Sequence, residues 1–169
     1  MDRRHLIRLA TATTMLWYLT GDAGLAGAQT SASATMGVSI EVTPNCTVAA
    51  EPLAFGAVAA ADAPLHGATA AIEVACGPEV PFTIQLDDGQ YASDGSRRAL
   101  DPTTGRYVGY DIFADAAHTR RWGSLAAESV AGVTTANGTE RLTAYGEIGS
   151  ETQIAAGRYG DLVTVTTNF

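Results

Sequence analysis

The chain has 169 residues and a formal net charge of −8, with ten arginines, eighteen acidic residues and no lysine. So acidic a surface argues against nucleic acid or an anionic membrane as a partner. Its length fits a single domain once a leader is set aside.

Residues 1–28 read as that leader. Arg3, Arg4 and Arg8 form a basic region, Leu9 to Leu19 a moderately apolar stretch, and Ala26-Gly27-Ala28 a small-residue cleavage pattern. No helix cap or amphipathic face organises the segment as a first helix. The apolar run is well short of the ~18–20 residues that a membrane span requires. The expected product begins at Gln29, is exported and soluble, and has no direct membrane insertion. It keeps seven arginines against sixteen acids over 141 residues, a net charge of −9. Leu, Ile, Val and Phe make up only 28 of those 141 residues, close to the level at which chains fail to fold. A domain so poor in large side chains needs outside help to offset chain entropy.

In chain order, Met36, Val38, Ile40 and Val42 alternate with Gly37, Ser39 and Glu41, and Pro44-Asn45 ends this first strand-like run. Cys46 and Cys76 are the two cysteines, both in the exported part, where an oxidising compartment joins them. Closing a loop of roughly 30 residues stabilises the fold by about 3–4 kcal/mol. A metal or redox site would want CxxC spacing or a third ligand, and neither occurs. Leu53 to Val58 is a short run interrupted by Gly56. Ile72, Val74 and Cys76 share one face of the next run, and Phe82, Ile84 and Leu86 one face of another, before Asp87-Asp88-Gly89 turns the chain. Residues 91–106 are polar and irregular. Tyr107 to Asp115 is the richest run, bulky on both faces, as in a central strand or one that meets a partner. Val130 to Thr135 and Arg141 to Ile148 flank Asn137-Gly138, a hairpin signal. Tyr159 to Phe169 comes last, with a β-branched alternation and no following hairpin partner, so it is expected to lie beside an earlier strand or leave an open edge. About seven short strands at near-regular spacing predict an all-β antiparallel sandwich.

Chemistry is mostly absent. There is no GxSxG, HExxH, P-loop or GxGxxG pattern, so no catalytic, cofactor or metal residue is assigned. His66 and His118 read as solvated loop residues rather than general bases. Asp87-Asp88-Gly89 lacks the alternating carboxylates of a calcium loop. Arg120-Arg121-Trp122 reads as an exposed loop whose Trp folds back onto the sandwich, with sugar or protein contact as the alternative. Tyr159 reads as a corner tyrosine bonded to nearby backbone. Asn45-Cys46-Thr47 and Asn137-Gly138-Thr139 match the glycosylation sequon, but a disulfide strand and a hairpin turn account for both.

Asn45-Cys46-Thr47-Val48, Leu53-Ala54-Phe55-Gly56, Ile72-Glu73-Val74-Ala75-Cys76, Tyr110-Asp111-Ile112-Phe113-Ala114-Asp115, Trp122-Gly123, Leu142-Thr143-Ala144-Tyr145-Gly146 and Ala156 to Val165 follow one another in an order that resembles the spore coat protein U domain family. That family includes major subunits of archaic (Csu-type) chaperone–usher pili, and the likeness covers nearly all of 37–169. It implies an incomplete immunoglobulin-like sandwich, completed by a donor strand from another chain. A periplasmic chaperone fills the gap first, and the N-terminal extension of the next identical or related subunit replaces it at an outer-membrane usher. By this resemblance residues 29–43 are the donor extension, overlapping the first strand, with Met36, Val38, Ile40 and Val42 as the inserted side chains. Residues 44–169 are the pilin domain, with Val163, Val165 and Phe169 bordering the acceptor groove. The implied function is a structural subunit of a surface pilus serving adhesion or biofilm formation, and not an enzyme. Two readings of other classes stand beside it: a secreted coat or matrix protein that folds alone, and a single-domain adhesin binding sugar through residues 116–126.

Overall fold

The computed structural model describes residues 31–58, 65–149 and 154–169. The expected leader, with Gln29 and Thr30, lies outside them. The chain divides into two units, Met1–Ile40 and Glu41–Phe169. The described part of the first has no helix or strand, and this irregular stretch runs on to Cys46 in the second. Met36, Val38, Ile40 and Val42 alternate as the sequence predicts, but they form no strand and stand 77–86% exposed.

The second unit is all-β. Its strands are β1 (Thr47–Ala50), β2 (Leu65–Ala75), β3 (Pro81–Leu86), β4 (Arg97–Asp101), β5 (Arg106–Phe113), β6 (Val130–Val133), β7 (Thr139–Ile148) and β8 (Val165–Asn168), with one 3-10 turn at Ala126–Glu128. All pairings are antiparallel, in a five-stranded sheet of order β1-β2-β7-β5-β4 and a three-stranded sheet of order β6-β3-β8. Four local readings differ from this. Val130 to Thr135 and Arg141 to Ile148 flank a turn but do not pair as a hairpin, because β6 lies on β3 and β7 between β2 and β5. The polar tract 91–106 contains β4, whose residues alternate too weakly to announce a strand. Leu53 to Val58 is not a strand: Pro52 removes a donor, and Gly56 takes a φ of 71°. The last run pairs as a strand only from Val165 onward.

Period-2 alternation puts Ile72 and Val74 of β2, Phe82, Ile84 and Leu86 of β3, Ile112 of β5 and Ala144 of β7 into one core with Trp122. Trp122 is fully buried, as the sequence expects. Its backbone N–H donates to Ile112 (2.8 Å) and its indole N–H to Ile84 (3.0 Å), so one residue ties the two sheets together. Cys46 and Cys76 are joined; Thr47 opposes Ala75 in the β1–β2 register, so the bridge sits one step beyond the ladder's end.

Candidate functional site

The molecule's chemistry lies in what its sandwich leaves uncovered. The inner face of the larger sheet carries Ala70 on β2, Ala144 and Gly146 on β7, and Ala99 on β4 where large side chains would be expected. This is the physical meaning of the thin core: a floor of small residues leaves room between the layers. Two contiguous depressions, of about 490 and 900 Å³, open there and share Leu53, Phe55, Ala99, Tyr110 and Tyr159. Ile72, Leu86 and Ile112 of the core line the first, between the end of β1 on one side and residues 159–165 on the other.

The second wall of that depression is β8 and its lead-in. Val163 and Val165 line the groove and pack against the core. Phe169 is 56% exposed and does not line it. The Thr164 N–H donates to the Asp87 carboxylate (2.9 Å) and its carbonyl accepts from the Asp87 N–H (3.1 Å), so Thr164 faces β3. By alternation, the backbone groups of Val163, Val165 and Thr167 point the other way. Among the described residues no strand covers that edge. It also lacks the usual edge protection, since Val-Thr-Thr-Asn offers no charge, proline or bulge. The buried Thr167 hydroxyl, on the strand's inward side, has no hydrogen-bond partner in the described structure.

Two aspartates hold this wall in place. Asp161 Oδ2 accepts the Tyr110 hydroxyl (2.6 Å), and Oδ1 accepts the N–H groups of Gln90 (2.9 Å) and Leu162 (2.9 Å). Burial, with the bond to Asp161 and that carboxylate's charge, pushes the Tyr110 phenol far above its ordinary range and keeps it a donor. Burial alone would raise the Asp87 carboxyl, but bonds from Thr164 and Gly89 and the Arg97 charge outweigh it and hold it below the usual range. Gly160 exchanges both backbone bonds with Leu100 (2.9 and 3.0 Å), so this segment leaves β4 and crosses to β3. The Tyr159 hydroxyl donates to the Ala155 carbonyl (3.0 Å), in the manner expected of a corner tyrosine.

Other candidates are structural here. His118 is not a solvated loop residue: it stacks on Phe113 at 5.0 Å, with Nδ1 3.1 Å from Glu147. Arg121 is held by Asp88 (2.7 Å), Asp111 (2.9 Å) and Glu128 (3.0 Å). In Asp87-Asp88-Gly89 the Gly89 N–H donates to the Asp87 carboxylate (3.0 Å) and the glycine takes a φ of 83°, so the aspartate bends the chain rather than serving an ion. Among the described residues no His, Cys, Asp and Glu cluster could hold a metal, and no helix is long and apolar enough to cross a membrane. His66 lies in β2. Sequence reasoning named Val163 and Val165 but missed Leu53, Phe55 and Tyr110 as groove residues; the apolar residues flanking Ala54 were the available signal.

The Spore Coat Protein U domain model matches residues 32–166. No curated protein matches. Among solved structures, the chain is similar to one in the CsuC–CsuE chaperone–tip adhesion subunit pre-assembly complex from the archaic chaperone–usher Csu pili of Acinetobacter baumannii. The TM-score is 0.56 at 24% identity, and the match covers 76% of this chain and 40% of that one. The solved structure shares the fold, and the family match, over residues 32–166, shows that this chain belongs to the Spore Coat Protein U domain family.

Proposed function

We propose that the protein is a structural subunit of a surface pilus, built by donor-strand exchange through a chaperone–usher pathway and serving adhesion or biofilm formation. The observation that carries this reading is an apolar groove opening onto the core beside the unpaired, unprotected edge of β8. A strand added there gains backbone hydrogen bonds along the edge and places alternate side chains in the groove. Residues 29–43 are the donor in this reading. Met36, Val38, Ile40 and Val42 alternate correctly and are exposed, so their burial in a neighbour is pure gain, about 1.5–3 kcal/mol each before ordering costs. Met36 to Val42 and Val163 to Phe169 each span about 20 Å as strands, so donor and edge match in length.

The partners follow from the same physics. A subunit with a bare edge and an open core needs a periplasmic chaperone to cover both until the next identical or related subunit takes over at an outer-membrane usher. Ile40→Asp tests the reading, because an unpaired carboxylate in a neighbour's groove costs several kcal/mol. The variant, co-expressed with its chaperone, is expected to fold and to give no fibres by electron microscopy. Wild-type-like fibres from it would remove Ile40 from the donor face. A wild-type chain that stays a stable monomer without a chaperone would overturn the pilin reading.

A further inference from the structure

The groove is not empty of the chain's own side chains. Glu51 is the last anchored residue after β1: its N–H donates to Ala71 (2.8 Å) and its carboxylate pairs with Arg141 (2.8 Å). Pro52 then ends the pairing, and among the described residues no backbone hydrogen bond ties residues 52–58 to either sheet. The segment is held by side-chain burial. Leu53 and Phe55 turn inward and are half-buried, whereas Ala54 is exposed. Their seat is Gly146, on the inner face of β7. A Cβ there would lie 2.7 Å from the Phe55 ring and 2.9 Å from a Leu53 methyl, so the ring occupies the space that any other residue's side chain would take. Phe55 and Leu53 line both depressions, placing them where these meet.

Resting on the strand-acceptor reading, we propose that Phe55, seated on Gly146, is a resident plug that an incoming strand must displace. Two apolar groups cannot fill one seat, and the resident one is held without backbone bonds, next to a glycine whose φ of 71° suits a pivot. The plug covers the core floor while the groove waits for a strand. It also lowers the fraction of subunits competent to accept one, and the apparent affinity falls by that fraction. Once displaced, residues 52–58 have free backbone groups to offer the new strand.

The test uses the exported, disulfide-bonded chain, refolded from urea without a chaperone and mixed by stopped flow, before it associates, with a labelled synthetic peptide of residues 31–45. In the wild type, the observed rate should level off with peptide concentration at the rate of plug opening. Phe55→Ala should remove the plateau and raise the association rate about tenfold or more. Phe55→Leu should act in the same direction by a smaller factor, because a smaller side chain holds the seat less firmly, which provides a second variant if the first folds poorly. A strictly linear wild-type dependence, or unchanged or slower association in the folded variants, would overturn the plug and leave the acceptor groove standing. A wild-type chain that binds no peptide would overturn both.

Discussion

Arg97 is 1% exposed, and each of its three guanidinium nitrogens donates. It donates to the Asp87 carbonyl from Nε (3.0 Å) and Nη2 (2.7 Å), to the Trp122 carbonyl (2.8 Å) and to the Asp111 carboxylate (2.7 Å). One side chain on β4 thereby satisfies carbonyls at the end of β3 and at the Trp122 crossing. Lysine, with a point charge and no planar fork, cannot reproduce that set. Arg97→Ala is expected to lower stability by about 3–5 kcal/mol in urea unfolding, because it leaves buried acceptors unpaired. A loss below about 1 kcal/mol would mean that water replaces the guanidinium. Asp87 predicts the response to acid. Its folded carboxyl sits below the ordinary range, so its contribution is fully present above the unfolded value of roughly 4 and is lost as pH falls through the folded value. The acid limb of the stability curve should therefore flatten in Asp87→Asn, and an unchanged limb would assign it to other groups. Neither role was legible in the sequence. Arg97 stood in a tract read as irregular and Asp87 in a plain turn, because the partners that define them lie 10 to 77 residues away.

Strands announced themselves to the extent that one face was buried. β3 and the inner half of β2 alternate cleanly, because Phe82, Ile84, Leu86, Ile72 and Val74 all meet the core, and both were legible. β4 was not, since its inward residues are Arg97, Ala99 and Asp101: Arg97 is satisfied by bonds to distant residues, Asp101 by Thr103 and Thr104 just past the strand, and Ala99 is too small to mark a face. β1 is four residues long, and Val48 is its one residue packed against the core. Such an edge strand has little to hold it apart from its ladder to β2 and the disulfide just outside that ladder. The bridge closes a sequence separation of 30 residues, worth about 3–4 kcal/mol. Cys46→Ser with Cys76→Ser should cost that amount and reduce periplasmic accumulation sharply. It should also expose the amides of β1 to hydrogen exchange before those of β3. Equal loss of protection in both strands would show that the bridge stabilises the domain globally rather than pinning one edge.

At the scale of the whole domain, the layers are unequal: five strands face three, and the short layer stops at β8 with the core visible beside it. The low count of large apolar residues foretold a deficit, but not its place. That depended on Ala70, Ala144, Gly146 and Ala99 converging from three strands, which no local pattern records. If the missing volume is what an added strand supplies, a chain that carries its own copy should be complete. Appending residues 31–45 after Phe169 through a flexible linker of about 15 residues gives a reach of roughly 20 Å, enough for the strand to enter in either direction. The tethered copy acts at a high effective concentration, so it should outcompete segments from other molecules. The expected product is a monomer that no longer needs a chaperone, stays monomeric at concentrations where the unmodified chain associates, and is more stable by at least about 3 kcal/mol. That figure is the surplus expected from burying four apolar side chains after ordering a short segment. Ile40→Asp in the appended copy alone should cancel most of the gain. If the fused chain is no more stable than the original, and its Ile40→Asp form behaves identically, then the groove is not the place where residues 29–43 bind, and the proposed assembly by strand exchange fails for this chain.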